Sequence, residues 1–289
     1  MAKNIEIIEI KPKTELSRQL NWEPLPNLFV DVDSCASDIE GIDLLAEMNT
    51  KQAEVKKLTT AAMNGEIPFD AIFGLRLEMI QPKETDLINL GRLYLETITP
   101  RAKEVIKIAQ YLGTNIFLMS GGYDQSIWPL ADYLDIPRNQ VFANHLFFDN
   151  HGSYIGFDTT NPLCGNGGKL HLIQQLKNQA QFPGLIGIIG DGISEVETKP
   201  AVNLCIGFGG HVTREKVQKE ADIFLPQPTF IPVLPLILGQ VGVEKCLQDN
   251  PYFHNLIYQG LECLKGAKFQ NRGIRIGEQI EFMRKQIKL

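Results

Sequence analysis

Apolar residues in this chain gather in short runs, and each run is cut off by a carboxylate or a glycine turn. Leu28-Phe29-Val30 runs into Asp31-Val32-Asp33-Ser34, residues 116–119 into Ser120-Gly121-Gly122, residues 185–189 into Gly190-Asp191-Gly192, and residues 204–208 into Gly209-Gly210. Unbroken apolar runs of this length predict strands covered on both faces, as in a parallel sheet. A further strand is expected at residues 140–144. Between the strands, residues 101–112, 125–134 and 170–177 carry helical spacing, the last opened by Gly165-Asn166-Gly167-Gly168-Lys169. Residues 146–157 predict a hairpin turning at Asn150-His151-Gly152. Repeated strand, turn and helix units predict an α/β fold with a doubly wound, Rossmann-like parallel sheet. Ligands of such sheets collect beyond the carboxyl ends of the strands, where the aspartates and glycines of this chain stand.

The pattern changes in three places. From Gly41 to Gly91 apolar residues recur at helical spacing, including Ile42, Leu45 and Met48, then Phe69, Ile72, Phe73 and Ile80, with no strand between them. This helical block comes directly after the first strand and predicts a cap inserted over the site. Residues 4–10 alternate partly as a strand, and residues 11–27, with Pro12, Pro24 and Pro26, read as an irregular arm. Beyond Gly239 there are two helical stripes, Phe253 to Leu264 and Ile276 to Ile287. The expected organisation is an arm at 1–27, a core at 28–40 and 97–239, a helical cap at 41–96 and a helical extension at 240–289.

At 289 residues the chain can bury a sizeable core, and its 44% hydrophobic and 21% charged residues are ordinary globular usage. The net charge of -6 offers no general attraction for nucleic acid or an anionic membrane, so a small molecule is the expected partner. The first 13 residues lack the apolar core of a secretory signal. Residues 230–238, the most apolar later stretch, contain Pro232 and Pro235 and fall far short of the ~20 residues that span a bilayer. Five scattered cysteines without metal-ligand spacing suit a reducing cytoplasm. Seven Lys or Arg against two Glu in residues 265–289 predict a solvated helix face or a subunit contact, such as a homodimer, ahead of an anionic partner.

A lone Asp-x-Asp also occurs in metal-dependent glycosyltransferases, but here four groups fall on one edge of the expected sheet. These are Asp31 with Asp33, Ser120 before Gly121 and Gly122, Lys169 at a helix start, and Asp191 in Gly-Asp-Gly. Together they predict phosphoryl transfer. Ser120, the amides near Gly121 and Lys169 can donate to phosphate oxygens. Carboxylates suit a hard cation such as Mg²⁺, with Asp31 and Asp191 as expected ligands and Asp33 counted beside them. One carboxylate can attack phosphorus while another protonates the leaving oxygen and later activates water, roles that suit Asp31 and Asp33 respectively.

Asp31-Val32-Asp33-Ser34, Phe117-Leu118-Met119-Ser120-Gly121-Gly122, Gly167-Gly168-Lys169 and Ile189-Gly190-Asp191-Gly192 resemble the motifs of the haloacid dehalogenase superfamily. The resemblance spans about 200 of the 289 residues, from Leu28 to near Thr229. It implies Mg²⁺-dependent hydrolysis of O-phosphoserine under a helical cap. Asp31 matches the nucleophile, Asp33 the acid/base, Ser120 and Lys169 the phosphate ligands and Asp191 a metal ligand. Glu40 matches the residue that meets the substrate ammonium, and Arg76 the one that meets its carboxylate. Two departures stand out: Cys35 where the family has threonine, and Glu195 where it has aspartate, expected to act on the metal from behind its direct ligands. The resemblance leaves two rivals, a phosphotransferase using the same aspartyl-phosphate or serving another amino-acid phosphate, and a catalytically weakened regulatory homologue.

Overall fold

The computed structural model describes residues 20–63, 69–179, 182–249 and 251–287, so the strand expected at residues 4–10 lies outside the described residues. In chain order the elements are β1 (Asn27–Val30), α1 (Gly41–Met48), α2 (Gln52–Met63), α3 (Phe69–Ile80), α4 (Glu84–Glu96), α5 (Ala102–Tyr111), β2 (Asn115–Tyr123) and α6 (Asp124–Tyr133). Then come β3 (Val141–Asn144), β4 (Leu146–Phe148), β5 (Tyr154–Phe157), α7 (Gly168–Asn178), β6 (Ile186–Gly190), α8 (Ile193–Glu197) and β7 (Leu204–Phe208). The chain closes with α9 (Glu215–Glu220), β8 (Ile223–Leu225), α10 (Val233–Asp249), α11 (Pro251–Cys263), β9 (Lys268–Phe269) and α12 (Ile274–Gln286).

Among the described residues seven strands form one sheet in the order β3-β2-β1-β6-β7-β8-β9, parallel throughout except for the antiparallel β9. The apolar runs become its central strands because both faces are covered: Leu28 and Val30 of β1 face one core cluster, while Phe29 faces the other. On that second face the Phe29 ring stacks on Phe117 at 5.0 Å and meets Phe182 edge-on at 5.4 Å, arrangements that add to the apolar burial. From β1 the chain winds to β2 and β3 on one side, and β6 to β8 continue on the other. Strand order therefore reverses between β1 and β6, and a crevice opens at their carboxyl ends.

Strand β2 runs further than the apolar run that predicts it. It continues through Ser120-Gly121-Gly122 to Tyr123, because the Asn144 side-chain amide donates to the Gly121 carbonyl at 2.8 Å and Tyr123 pairs with Asn144 across an irregularity. Gln140, expected to open the third strand, belongs instead to a 3₁₀ turn over Arg138–Gln140. The expected hairpin forms as β4 and β5, and Phe157 packs edge-on against Phe73 of α3 at 5.0 Å. Helices α1 to α4 all lie between β1 and β2 in the chain, with α4 packed against α6 and α1.

The ends of the described chain are tied into the core. Trp22 and Leu25 are buried, the Trp22 indole donates to the Pro235 carbonyl at 2.9 Å, and the Leu25 amide donates to Ile237 at 2.8 Å. Residue 239, where the core is expected to end, falls inside α10, which kinks at Gly239. Past it, Arg272 donates to both oxygens of the fully buried Asp222, at 3.1 and 2.8 Å, and β9 pairs with β8. The last segment thus completes the sheet edge, which sequence periodicity did not foretell. Among the described residues no helix is long and apolar enough to cross a membrane.

Candidate active site

At the end of β1 the Asp31 amide still donates to Ile189 of β6 at 2.9 Å, and the chain then enters a tight turn over Val32–Ala36. Ser34 takes the left-handed conformation there, at φ 51°, a strained choice for a residue with a side chain. The turn reverses the chain so that Asp31 and Asp33 point at different partners, rather than sharing a face as an extended strand would place them. Both line a cavity of about 490 Å³ together with Glu40, Arg76, Gly121, Lys169, Asp191 and Arg214. Seven of the residues singled out from the sequence, on five different segments, therefore meet in one space.

Lys169, in the first turn of α7, is buried, and its ammonium lies 2.8 Å from Asp31 and 2.5 Å from Glu195. Carboxylate oxygens of Asp31, Asp191 and Glu195 come within 4.8 Å of one another. Burial pushes the Asp31 carboxyl well above its ordinary pKa; Lys169 opposes that shift, and Glu195, Asp191 and Asp33 add to it. Burial also works against the charge on Lys169, but Asp31 and Glu195 outweigh it and raise the ammonium's pKa. Three converging carboxylates against the Lys169 ammonium and the Arg214 guanidinium on Asp191 still leave an excess of negative charge, the environment a divalent cation relieves.

Asp33 and Glu195 are placed differently from a simple grouping of all the expected acids. The Asp33 side chain stands apart from the carboxylate cluster: its Oδ1 accepts from the Gly41 amide and the Tyr94 hydroxyl, both at 2.7 Å, and its Oδ2 from Ser120 Oγ at 2.9 Å. Those donors engage both oxygens, and neither oxygen joins the group formed by Asp31, Asp191 and Glu195. Glu195, expected behind the metal ligands, is instead within the cluster. It also accepts from the Gly192 amide at 2.8 Å, and a methyl at Gly190 would collide with its side chain, so glycine there lets the longer acid fold back. Ser120 is fully buried; its Oγ donates to Asp33 and accepts the Gly122 amide at 2.8 Å, leaving the Gly121–Gly122 backbone and Lys169 at the cavity wall.

Glu40 also lines the cavity and accepts from Ser34 Oγ at 2.9 Å and from Arg214 at 3.1 Å. Burial and the nearby Asp33 and Asp191 push its pKa up to about 7, against the hydrogen bond from Ser34 and the charge of Arg214. Arg76 reaches the same cavity from α3, and its buried Nε makes no hydrogen bond. A buried guanidinium with an unused donor is suited to an anionic ligand. Cys35 is wholly buried and its thiol sits 3.9 Å from the Ile189 carbonyl; burial, then Asp31, raises its pKa well above the ordinary value and keeps it neutral.

Five residues at or beneath the site escaped sequence reasoning: Arg214, Tyr94, Thr99, His211 and Asp38. Arg214 donates to Asp191 at 2.9 Å as well as to Glu40, bridging the carboxylate cluster and Glu40. Its only sequence signal is its place four residues after Gly209-Gly210, a strand-end turn on the right edge. Tyr94 carries no signal at all, standing 61 residues from the aspartate it touches. Beneath the first turn, Thr99 Oγ1 donates to the Cys35 carbonyl at 2.5 Å and also meets His211 Nε2 at 2.7 Å, while His211 Nδ1 pairs with Asp38 at 2.8 Å.

A parallel sheet with Asp31 and Asp191 at its switch point, and Lys169 at a helix start between them, defines a phosphohydrolase of the haloacid dehalogenase type. No protein-family model matches the chain. The phosphoserine phosphatase of Bos taurus is 36% identical over 195 residues, covering 68% of this chain and 86% of that one. The Homo sapiens phosphoserine phosphatase is 37% identical over the same shares. Among solved structures, a phosphoserine phosphohydrolase-like protein from Francisella tularensis subsp. tularensis SCHU S4 aligns at 27% identity with a TM-score of 0.62, covering 70% of this chain and 96% of that one. The chain belongs to the phosphoserine phosphatase family.

Proposed function

We propose that this protein hydrolyses O-phospho-L-serine to L-serine and phosphate, the serine-forming step of amino-acid biosynthesis, in the cytoplasm. The observation that carries the substrate is the pair of charges in the cavity of Asp31 and Lys169: Arg76, with an unused buried Nε, and Glu40, an acid held by Ser34 and Arg214. A guanidinium for the carboxylate and a carboxylate for the ammonium match an amino-acid head. In this reading α1 to α4 form the cap, residues 41–96, which brings Arg76 over the site. The five cysteines are free, which supports the cytoplasmic setting.

Asp31 attacks phosphorus, forming a carboxylate oxygen–phosphorus bond as the bond from phosphorus to the seryl oxygen breaks. Asp33 gives its proton to that oxygen, and serine leaves. Water then attacks the aspartyl-phosphate, passing its proton back to Asp33 and releasing phosphate from Asp31. Lys169 and the Gly121–Gly122 amides hold the phosphate oxygens, and Ser120 reaches them by turning its hydroxyl away from Asp33. The donor set of Asp31, Asp191 and Glu195 is all carboxylate oxygen, which fits Mg²⁺. When bound, that ion supplies positive charge against the phosphate.

The test is phosphate release from a panel of phosphomonoesters with Mg²⁺, using wild type and Asp31→Asn. O-Phosphoserine should give the highest kcat/KM, chelation should abolish release, and Asp31→Asn should be inactive. A wild type that prefers esters without an amino-acid head would overturn the substrate, and an active Asp31→Asn would overturn the nucleophile.

A further inference from the structure

We propose that Tyr94 is a positioning residue that holds the Asp33 carboxylate in place from the helical layer above the sheet. The inference rests on the reading of Asp33 as the acid/base. Tyr94 belongs to α4, is fully buried, and directs its hydroxyl at Asp33 Oδ1 at 2.7 Å. Asp33 lines the cavity, and the Tyr94 hydroxyl meets the site at that carboxylate.

The carboxylate it touches is held from three separate elements. Gly41 at the start of α1 donates its amide to the same oxygen, and Ser120 of β2 donates to the other. Ser120 also accepts from Gly122, and its hydroxyl proton points to Asp33 until phosphate draws it away. The backbone also makes room for the tyrosine: a methyl at Gly41 would collide with the Tyr94 hydroxyl. Glycine at the start of α1 and tyrosine on α4 are thus a matched pair around one oxygen. Without that hydroxyl, Oδ1 keeps a single donor, and the side chain can rotate about its Cα–Cβ bond away from the leaving oxygen.

The step that should suffer is the one in which Asp33 hands its proton to the seryl oxygen as the phosphorus–oxygen bond breaks. A serine alkoxide needs that proton, whereas 4-nitrophenolate leaves without it. Since kcat/KM covers events through the first irreversible step, the two esters separate a misplaced acid from a general loss of fold.

The experiment measures kcat and KM for wild type, Tyr94→Phe, Asp33→Asn and the double variant on O-phosphoserine and p-nitrophenyl phosphate, with thermal melts of each. Tyr94→Phe keeps the ring and removes only the hydroxyl. It should lower kcat on O-phosphoserine about ten- to a hundredfold, the worth of a hydrogen bond to a charged group, with KM unchanged. Its kcat/KM on the aryl ester should stay within about threefold of wild type, and adding it to Asp33→Asn should cost nothing more. Equal losses on both esters, an effect confined to KM, or a full further loss in the Asp33→Asn background would overturn the positioning role. An Asp33→Asn variant with wild-type kcat on O-phosphoserine would instead remove the acid/base reading itself, and the role of Tyr94 with it.

Discussion

Replacing Lys169 with methionine keeps the apolar stem of the side chain and deletes the ammonium that sits 2.8 Å from Asp31 and 2.5 Å from Glu195. Both acids are buried, so neither recovers the lost interaction from water. Removing one partner of a buried ion pair costs about 3–5 kcal/mol, because the remaining charge is stranded. With an unfolding entropy of about 2.1 cal/mol/K per residue, the 289 residues give about 0.6 kcal/mol/K. The expected fall in the melting temperature of metal-free protein at pH 7.5 is therefore about 5–8 °C. The pH dependence has a definite sign. Asp31 already binds its proton more tightly in the folded state than in the unfolded chain, and loss of Lys169 strengthens that preference. The folded variant then holds protons that the unfolded chain has released, so the deficit is full above the folded pKa and shrinks as pH falls toward the ordinary carboxylate range. Mg²⁺ should narrow it as well, by restoring positive charge to the cluster. Turnover should fall about 10²- to 10³-fold, as when one fixed donor to transition-state charge is removed. Melting curves of wild type, Lys169→Met and Lys169→Arg from pH 5 to 8, with and without Mg²⁺, are the assay. A metal-free Lys169→Met protein that melts with the wild type, or whose deficit grows as pH falls, would refute the reasoning.

Arg76→Ala should lower kcat/KM for O-phosphoserine about ten- to a hundredfold, the loss of one charge-assisted contact, and change p-nitrophenyl phosphate little; parallel steady-state kinetics decide, and equal losses would remove the carboxylate role. Glu40 has its pKa pushed up from 4.5 to about 7, so it loses its negative charge as pH falls through that value. The preference for O-phosphoserine over an ester lacking the ammonium should therefore weaken below about pH 7, a trend that Glu40→Gln should abolish. Arg272→Ala unpairs buried Asp222 from a two-point contact and should cost roughly 1.5–3 kcal/mol of stability with kcat unchanged; deletion of 250–289 should destabilise more, by also stripping α11 and α12 from the core, and denaturant titration with kinetics on the surviving folded protein checks both. Burial lowers the pKa of His211 despite the neighbouring Asp38, so its share of stability should be present above about pH 6.5 and be lost as pH falls toward the lower folded value; a His211→Gln protein should show a flatter stability profile across that window.

The central strands were legible because a strand covered on both faces must be apolar throughout, as Leu28-Phe29-Val30 and Ile186 to Ile189 are. Groups at their carboxyl ends were legible for the same reason: once the runs are strands of one parallel sheet, the residues just past each run stand on one edge. Less was legible where a short-range signal was overridden by a distant partner. Ser120-Gly121-Gly122 has turn composition, yet Asn144 holds it in the sheet. The last forty residues show only helical stripes, and their two-residue strand β9 exists because β8 offers it an edge.

The sequence by itself determined which chemistry this chain carries: carboxylates, an ammonium and glycine turns at strand ends are enough for aspartate-based phosphoryl transfer. Tertiary structure alone decided which group does which work. The Asp33 oxygens face Gly41, Tyr94 and Ser120, and Glu195 comes within reach of Asp31 and Asp191 because its chain folds back over Gly190. Arg214 meets Glu40 across 174 residues, and Tyr94 meets Asp33 across 61. Local spacing carries no trace of such contacts, since a side chain's partner is set by how helices and strands pack, and packing answers to the whole core at once.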